Sequence, residues 1–352
     1  MWGRFRLTNA VDTDAECAPR PDKSRWGKCA LWAGQVLIVL ALIDGFMDLS
    51  YPLARKIRHI VTPSIEIATD RAAGWDDYLE RNVAGLGVIV EPVSGPGLHV
   101  DALGIRSTGT PQRNGVRGFL LGSSQAFGHF LSDDATLAAA IERRLPEVNV
   151  TVVAGPARTV AESMMNWQHI SAKIDAPNFA IFLFSNIEMY KSCEPRQSPQ
   201  GPPDRKPAVI AALRRIMPGP ILYPCSVPEA RTAVVERSLY ELRGAIAFGR
   251  QRNPHFTVVI APLLYGNESN ADKLRGQLDQ KYVESLDLSV REFRTRIATE
   301  NLPGVIDLSA AFDGNGNAYF SDISSHFSRA GAEHLAAEIL ERLPHDFFGD
   351  EL

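Results

Sequence analysis

The chain has 352 residues, 45% of them hydrophobic, and a formal net charge of −4. That length holds one large α/β domain with appendages, and the hydrophobic share is ordinary for a globular protein and excludes a polytopic membrane protein. Mild acidity, with no basic stripe carrying interleaved aromatics, argues against nucleic acid as a partner.

Residues 1–28 are polar and read as a tail. Residues 29–43 carry no charge. With Trp26 and Gly27 before Lys28, and Gly45-Phe46-Met47 after Asp44, the span approaches the ~20 residues that a bilayer requires. Arg20, Lys23, Arg25 and Lys28 precede it, so the positive-inside rule predicts a cytoplasmic tail at 1–28 and a membrane anchor at 29–48, with the chain from Ser50 onward outside. A buried soluble helix is one alternative, and a cleaved signal peptide the other. The signal peptide would need an unusually long n-region, and no A-x-A site follows Leu42-Ile43-Asp44. Residues 49–98 read as a stalk or small subdomain without an interpretable motif, and the main domain is expected at 99–352.

From 118 onward apolar strands alternate with amphipathic helices. Strands are predicted at 118–121, 149–154, 178–184, 256–261 and 304–308, and helices near 134–145, 159–174, 230–250, 272–300 and 328–342. This alternation implies a parallel sheet covered on both faces. In such folds chemistry gathers where strands end. The first strand runs into Gly122-Ser123-Ser124-Gln125-Ala126-Phe127-Gly128, a glycine-bounded turn that can present a serine nucleophile. The second ends at Gly155, where a backbone N–H can face an oxyanion, and the third at Ser185-Asn186, a side-chain amide in the equivalent place. Asp322 and His326 precede the last helix, with Gly331 five residues beyond the histidine. A serine, oxyanion donors and an Asp/His pair are the minimal kit for acyl transfer. Blander readings stand beside these: Ser124 as a turn residue, Gly155 as a strand end, Asn186 as a cap of the following turn. His129 is expected at the surface of a helix start, His334 exposed, and His169 in packing beside Trp167.

These blocks resemble the SGNH/GDSL hydrolase family. Gly122-Ser123-Ser124 with Gly128 matches its first block, Gly155 its second, Asn186 its third, and Asp322 with His326 its fifth. Asp101-Ala102-Leu103-Gly104-Ile105-Arg106 is similar to the lead-in of membrane-anchored members linked to glycan modification, as is Asp133-Asp134-Ala135-Thr136-Leu137 to their segment after block one. The resemblance covers roughly residues 99–343. It implies a flavodoxin-like three-layer α/β sandwich with a central parallel sheet, Ser124 as nucleophile, His326 as base and Asp322 as its orienting acid. Ser124 N–H, Gly155 N–H and the Asn186 side chain would form the oxyanion hole, with no cofactor and no metal.

It further implies acyl-ester hydrolysis or O-acyl transfer, expected to be O-acetyl, on an acylated glycan or lipid-linked saccharide. The expected place is the periplasmic side of the inner membrane, within an envelope biosynthesis complex. A catalytically silent glycan-binding or scaffolding module is the rival. Two departures bear on that choice. Ser123 stands where the family has Asp, and Asp322 lies four residues before His326 where the family usually has three. A bulge would restore the contact; otherwise the acid is displaced.

Cys193 and Cys225 would lie in an oxidising compartment and bracket a proline-rich stretch, so a disulfide between them is expected, with two free thiols as the alternative. No Cys/His spacing suggests zinc. Asp313-Gly314-Asn315-Gly316-Asn317 imitates an EF-hand loop, but Ala318 and Ser324 occupy its sixth and twelfth positions, so a surface turn is expected. The serine turn also lacks the second glycine of a G-x-S-x-G elbow, which argues against an α/β-hydrolase.

Overall fold

The described residues begin with two short antiparallel hairpins, β1 (Glu80–Val83) with β2 (Gly87–Val90) and β3 (Val93–Gly95) with β4 (Leu98–Val100). The computed structural model describes residues 74–75, 78–84, 86–111, 115–197, 221–266, 272–344 and 346–348. The expected tail and membrane anchor, the first part of the stalk and the proline-rich stretch lie outside them. Among the described residues no helix is long and apolar enough to cross a membrane. Residues 74–98, expected as part of a stalk or small subdomain, share the main core: Trp75, Val90 and Leu98 are buried in it, and Trp75 Nε1 donates to Leu131 O at 3.0 Å.

Then β5 (Val116–Gly122), helix α1 (Ser124–Phe127), α2 (Leu137–Arg144), β6 (Val148–Ala154), α3 (Val160–Ser171), β7 (Phe179–Phe184) and α4 (Ile187–Cys193) follow. The two-residue strands β8 (Arg196–Gln197) and β9 (Ile221–Leu222) pair with each other. The chain continues through α5 (Pro228–Arg252), β10 (Phe256–Ile260), α6 (Asp272–Arg275), α7 (Gln280–Glu300), β11 (Val305–Asp307), α8 (Gly316–Tyr319) and α9 (Arg329–Arg342).

The five long-range strands form one parallel sheet in the order β11-β10-β7-β5-β6. Every residue of β7 and β10 is buried, as an apolar run covered on both faces requires. The chain steps from β5 to one side for β6, then back across for β7, β10 and β11. Right-handed crossovers then put α2 on one face and α3, α5 and α7 on the other. Accordingly α2 packs on α9, while α5 packs on both α3 and α7. This is the doubly wound order whose topological switch lies between the first and third strands, β5 and β7. The helix expected over 272–300 is two: Asp279 caps a fresh N-terminus, its carboxylate accepting from Lys281 N and Tyr282 N.

Cys193, at the end of α4, and Cys225 form a disulfide with Cα atoms 5.1 Å apart, both side chains fully buried. It closes a 32-residue separation. Loop-closure entropy for that length predicts that Cys193→Ser loses roughly 3–4 kcal/mol of stability. Urea unfolding of the wild type should shift by a similar amount on reduction, and the variant should show no such shift.

Candidate active site

The sheet register sets the site. Gly122 pairs with Ala154 on one side and Leu183 on the other, and Phe184 pairs with Ile260. The strands therefore end at one level, and the segments starting at Ser123, Gly155, Ser185 and Ala261 emerge side by side. Gly122 has φ +144, and a Cβ there would lie 2.7 Å from Leu183 O and 2.9 Å from Ala126 Cβ. Only glycine makes this turn. It delivers Ser124 as the first residue of α1, at 9% exposure. Ser123, in the position the family gives to Asp, shares a short hydrogen bond with the Ser185 hydroxyl and so ties the β5 turn to the end of β7.

Two links join the Ser124 turn to the histidine loop. Gln125 Nε2 donates to Ser325 O at 2.6 Å, and the His129 ring lies 4.7 Å from the His326 ring. The acid and the histidine are in contact despite the extra residue between them: His326 Nδ1 and Asp322 Oδ2 are 2.6 Å apart. Ser325 takes up that residue by adopting φ +63. Asp322 Oδ1 meanwhile accepts from Ser324 N at 2.9 Å and His326 N at 3.1 Å, closing a tight turn. The Ser325 hydroxyl is pinned by Tyr190 OH at 3.0 Å and Leu264 N at 3.3 Å. Burial pushes the Asp322 carboxyl up. The hydrogen bond and charge of His326, with the two backbone N–H groups, outweigh it and hold the acid below the usual carboxylate range. Asp322 is thus a carboxylate and accepts from His326 Nδ1–H, which turns Nε2 away from the acid.

Asn186 immediately precedes α4 at φ 52 and makes no capping bond to it through its side chain, so the side-chain capping reading does not hold. The residue is 1% exposed, and neither end of its amide has a hydrogen-bond partner among the described residues. Gly155 differs from expectation: its N–H donates to Gly122 O, though at a long 3.4 Å.

His129 is a correction. The sequence places it at the surface, whereas it is half-buried among Trp75, Tyr78 and Phe130, with its ring against His326. Burial of Trp75 by the N-terminal segment makes that cluster, and no local pattern near 129 reveals it. His334 is half-buried on the Tyr319 ring, and His169 is exposed instead of packed. Gln125 and Ser325 also escaped sequence reasoning; their one signal is adjacency to Ser124 and His326. In the EF-hand-like segment Asp313 pairs with Arg294, and among the described residues no cluster suits a metal ion.

No protein-family model matches the chain, and no curated protein matches it. Solved structures are similar to it at low levels. A lipolytic protein of the G-D-S-L family from Veillonella parvula is 16% identical over 64% of this chain and 97% of its own, with a TM-score of 0.39. A lipase from a goat rumen metagenome is 14% identical over 65% and 100%, with a TM-score of 0.42. A catalytic mutant of Axe2, an acetylxylan esterase from Geobacillus stearothermophilus, is 13% identical over 68% and 98%, with a TM-score of 0.38. At these scores the likenesses add no weight, and the functional reading rests on the geometry above.

Glu188, two residues beyond Asn186, is buried, and its Oε1 accepts from Val160 N at 2.6 Å. Burial, reinforced by the Glu241 carboxylate, pushes its carboxyl up to about 7. A folded-state value above the unfolded one means that stability falls as pH rises between about 4 and 7. Glu188→Gln should therefore raise the melting temperature at pH 8, by at most on the order of 3 kcal/mol in free energy, and leave it unchanged at pH 4. Thermal unfolding at the two pH values checks this.

Proposed function

We propose that this chain is a serine-dependent acyl-ester hydrolase or O-acyltransferase of the SGNH type. The observation that carries the reading is the Asp322–His326 contact, held beside the Ser124 turn by the Gln125–Ser325 bond. In the proposed reaction His326 Nε2 removes the Ser124 proton and Oγ attacks the ester carbonyl. The oxyanion is held by Ser124 N–H, the Asn186 amide and Gly155 N–H, which exchanges its long bond to Gly122 O for the developing charge. His326 then protonates the leaving alcohol, and water or a sugar hydroxyl takes the acyl group by the reverse steps.

The proposed substrate is an O-acetylated glycan or lipid-linked saccharide of the cell envelope, met at the periplasmic face by a domain anchored through residues 29–48. A reporter active only outside the cytoplasm, fused after residue 60, tests that placement; a soluble, shortened protein would overturn it. The silent-module reading drew its main support from the extra residue before His326, and the 2.6 Å contact removes that support.

The purified full chain should turn over p-nitrophenyl acetate. Ser124→Ala and His326→Ala should each lower kcat by at least ~10³-fold with circular dichroism unchanged. Near-wild-type turnover by Ser124→Ala would mean another nucleophile. Asn186→Ala should lower kcat by roughly 10²-fold with little change in KM, since an oxyanion donor acts in the transition state.

A further inference from the structure

Arg158 is 2% exposed, and nothing in the mechanism above uses it. The turn that carries it passes through Ala157 at φ 51 and lays the guanidinium over Gly155. A Cβ on Gly155 would lie 2.6–2.9 Å from the guanidinium atoms. A side chain at residue 155 would thus force the guanidinium to shift, quite apart from what the Gly155 N–H does.

The cation is poorly satisfied. Nε donates to Val88 O at 2.8 Å, while Nη1 has no hydrogen-bond partner among the described residues. Nor does it pair with a carboxylate there. The acid whose field it feels, Glu162, is engaged in a capping box, with Oε2 accepting from Thr159 N and Oγ1. Burial lowers the guanidinium to about 10, which still leaves it charged at neutral pH. An unsatisfied buried charge costs several kcal/mol, and an apolar side chain of similar size would cost far less.

What Arg158 faces supplies a reason. It shares a cavity of about 10 Å³ with Ser123, Ser163, Ser185, Asn186 and Glu188. That volume suits one water molecule, which needs at least two polar partners. Arg158 Nη1 and both ends of the Asn186 amide are the unpartnered groups here. A water can accept from Nη1 and donate to Asn186 Oδ1. The reverse amide orientation would ask that water's remaining lone pair to accept from Nδ2, the weaker arrangement beside a cation that turns the water's hydrogens outward. Once Oδ1 is held on the arginine side, Nδ2 faces away from it.

We propose that Arg158 is a positioning residue: through one buried water it fixes which way the Asn186 amide faces, so that Nδ2 is the end offered to the oxyanion. This rests on the esterase reading of Ser124 and Asn186. The role predicts a signature that packing alone would not give. Arg158 should act in the transition state, and only through Asn186.

The experiment is a double-mutant cycle on the full chain with p-nitrophenyl acetate. Arg158→Met should lower kcat by roughly 30-fold with KM within about twofold, and Arg158→Lys should recover most of the loss. In the Asn186→Ala background, Arg158→Met should lower kcat by less than about threefold further. Effects that multiply, a change in KM alone, or an unchanged kcat would overturn the assignment. Should Arg158→Met not fold, high-resolution electron density for the wild type decides: a water bonded to both Nη1 and Oδ1 supports the proposal, and its absence overturns it. If the wild type shows no Ser124-dependent turnover, the esterase reading falls and takes the role of Asn186 with it. If turnover depends on Ser124 but the two effects multiply, only the Arg158 assignment falls.

Discussion

The end of the molecule that holds the candidate site hangs on one buried guanidinium. Arg106 donates to Asp133 Oδ1 at 3.1 Å, to Phe127 O at 2.7 Å, and to Gly128 O and Leu131 O at 2.5 Å each. Its flat faces lie near the Trp75 and Phe127 rings, at 5.4 and 5.2 Å from their centroids. The backbone of residue 106 bridges to Val100 and to Val152 on the sheet's edge strand β6. One side chain therefore joins the N-terminal hairpins, the sheet edge and the turn that follows Ser124. Burial lowers the guanidinium to about 10 against the opposing pull of Asp133, so the arginine stays charged at neutral pH. Removing one partner of such a pair typically costs about 3–5 kcal/mol. Here it would also release the carbonyls that hold His129 and Phe130 beside His326.

The two buried arginines make an instructive contrast. Arg106 is well satisfied: four of its five N–H donors meet a carboxylate and three carbonyls, and it builds structure. Arg158, equally hidden, has one carbonyl and an unpartnered Nη1 among the described residues. Both are taken from water at similar expense, yet only the first is repaid within its own surroundings. That difference in satisfaction, more than burial or charge, separates a group that frames a site from one poised to work in it.

Much of the fold was legible because its signals are local. The sheet strands appear within two residues of their expected bounds, since apolar runs such as Phe179–Phe184 need no distant information to be read. The order of Ser124, Gly155, Asn186, Asp322 and His326 at strand and helix ends followed from the same alternation. What escaped depends on distant partners. Glu80, Arg81 and Asn82 are exposed, so β1 has no hydrophobic pattern and forms by pairing with β2. The left-handed turn at Ser325, which lets Asp322 meet His326 across an extra residue, is held by Gln125, Tyr190 and Leu264, between 61 and 200 positions away. His129 looked like a surface residue because nothing near it announces Trp75.

The first hairpin has a consequence for where this protein can be divided. Val88 O is the carbonyl bound by Arg158, and Gly87 lies close enough to the Glu162 carboxyl that a Cβ would stand 2.7 Å from it. Trp75, Val90 and Leu98 fill the core ahead of every recognisable motif. A fragment begun at residue 99, where the motifs start, would keep all the named blocks and still expose the Arg158 guanidinium to solvent and leave Arg106 without Trp75 over its face. The functional unit therefore begins upstream of its own sequence signature, and its edge is drawn by packing.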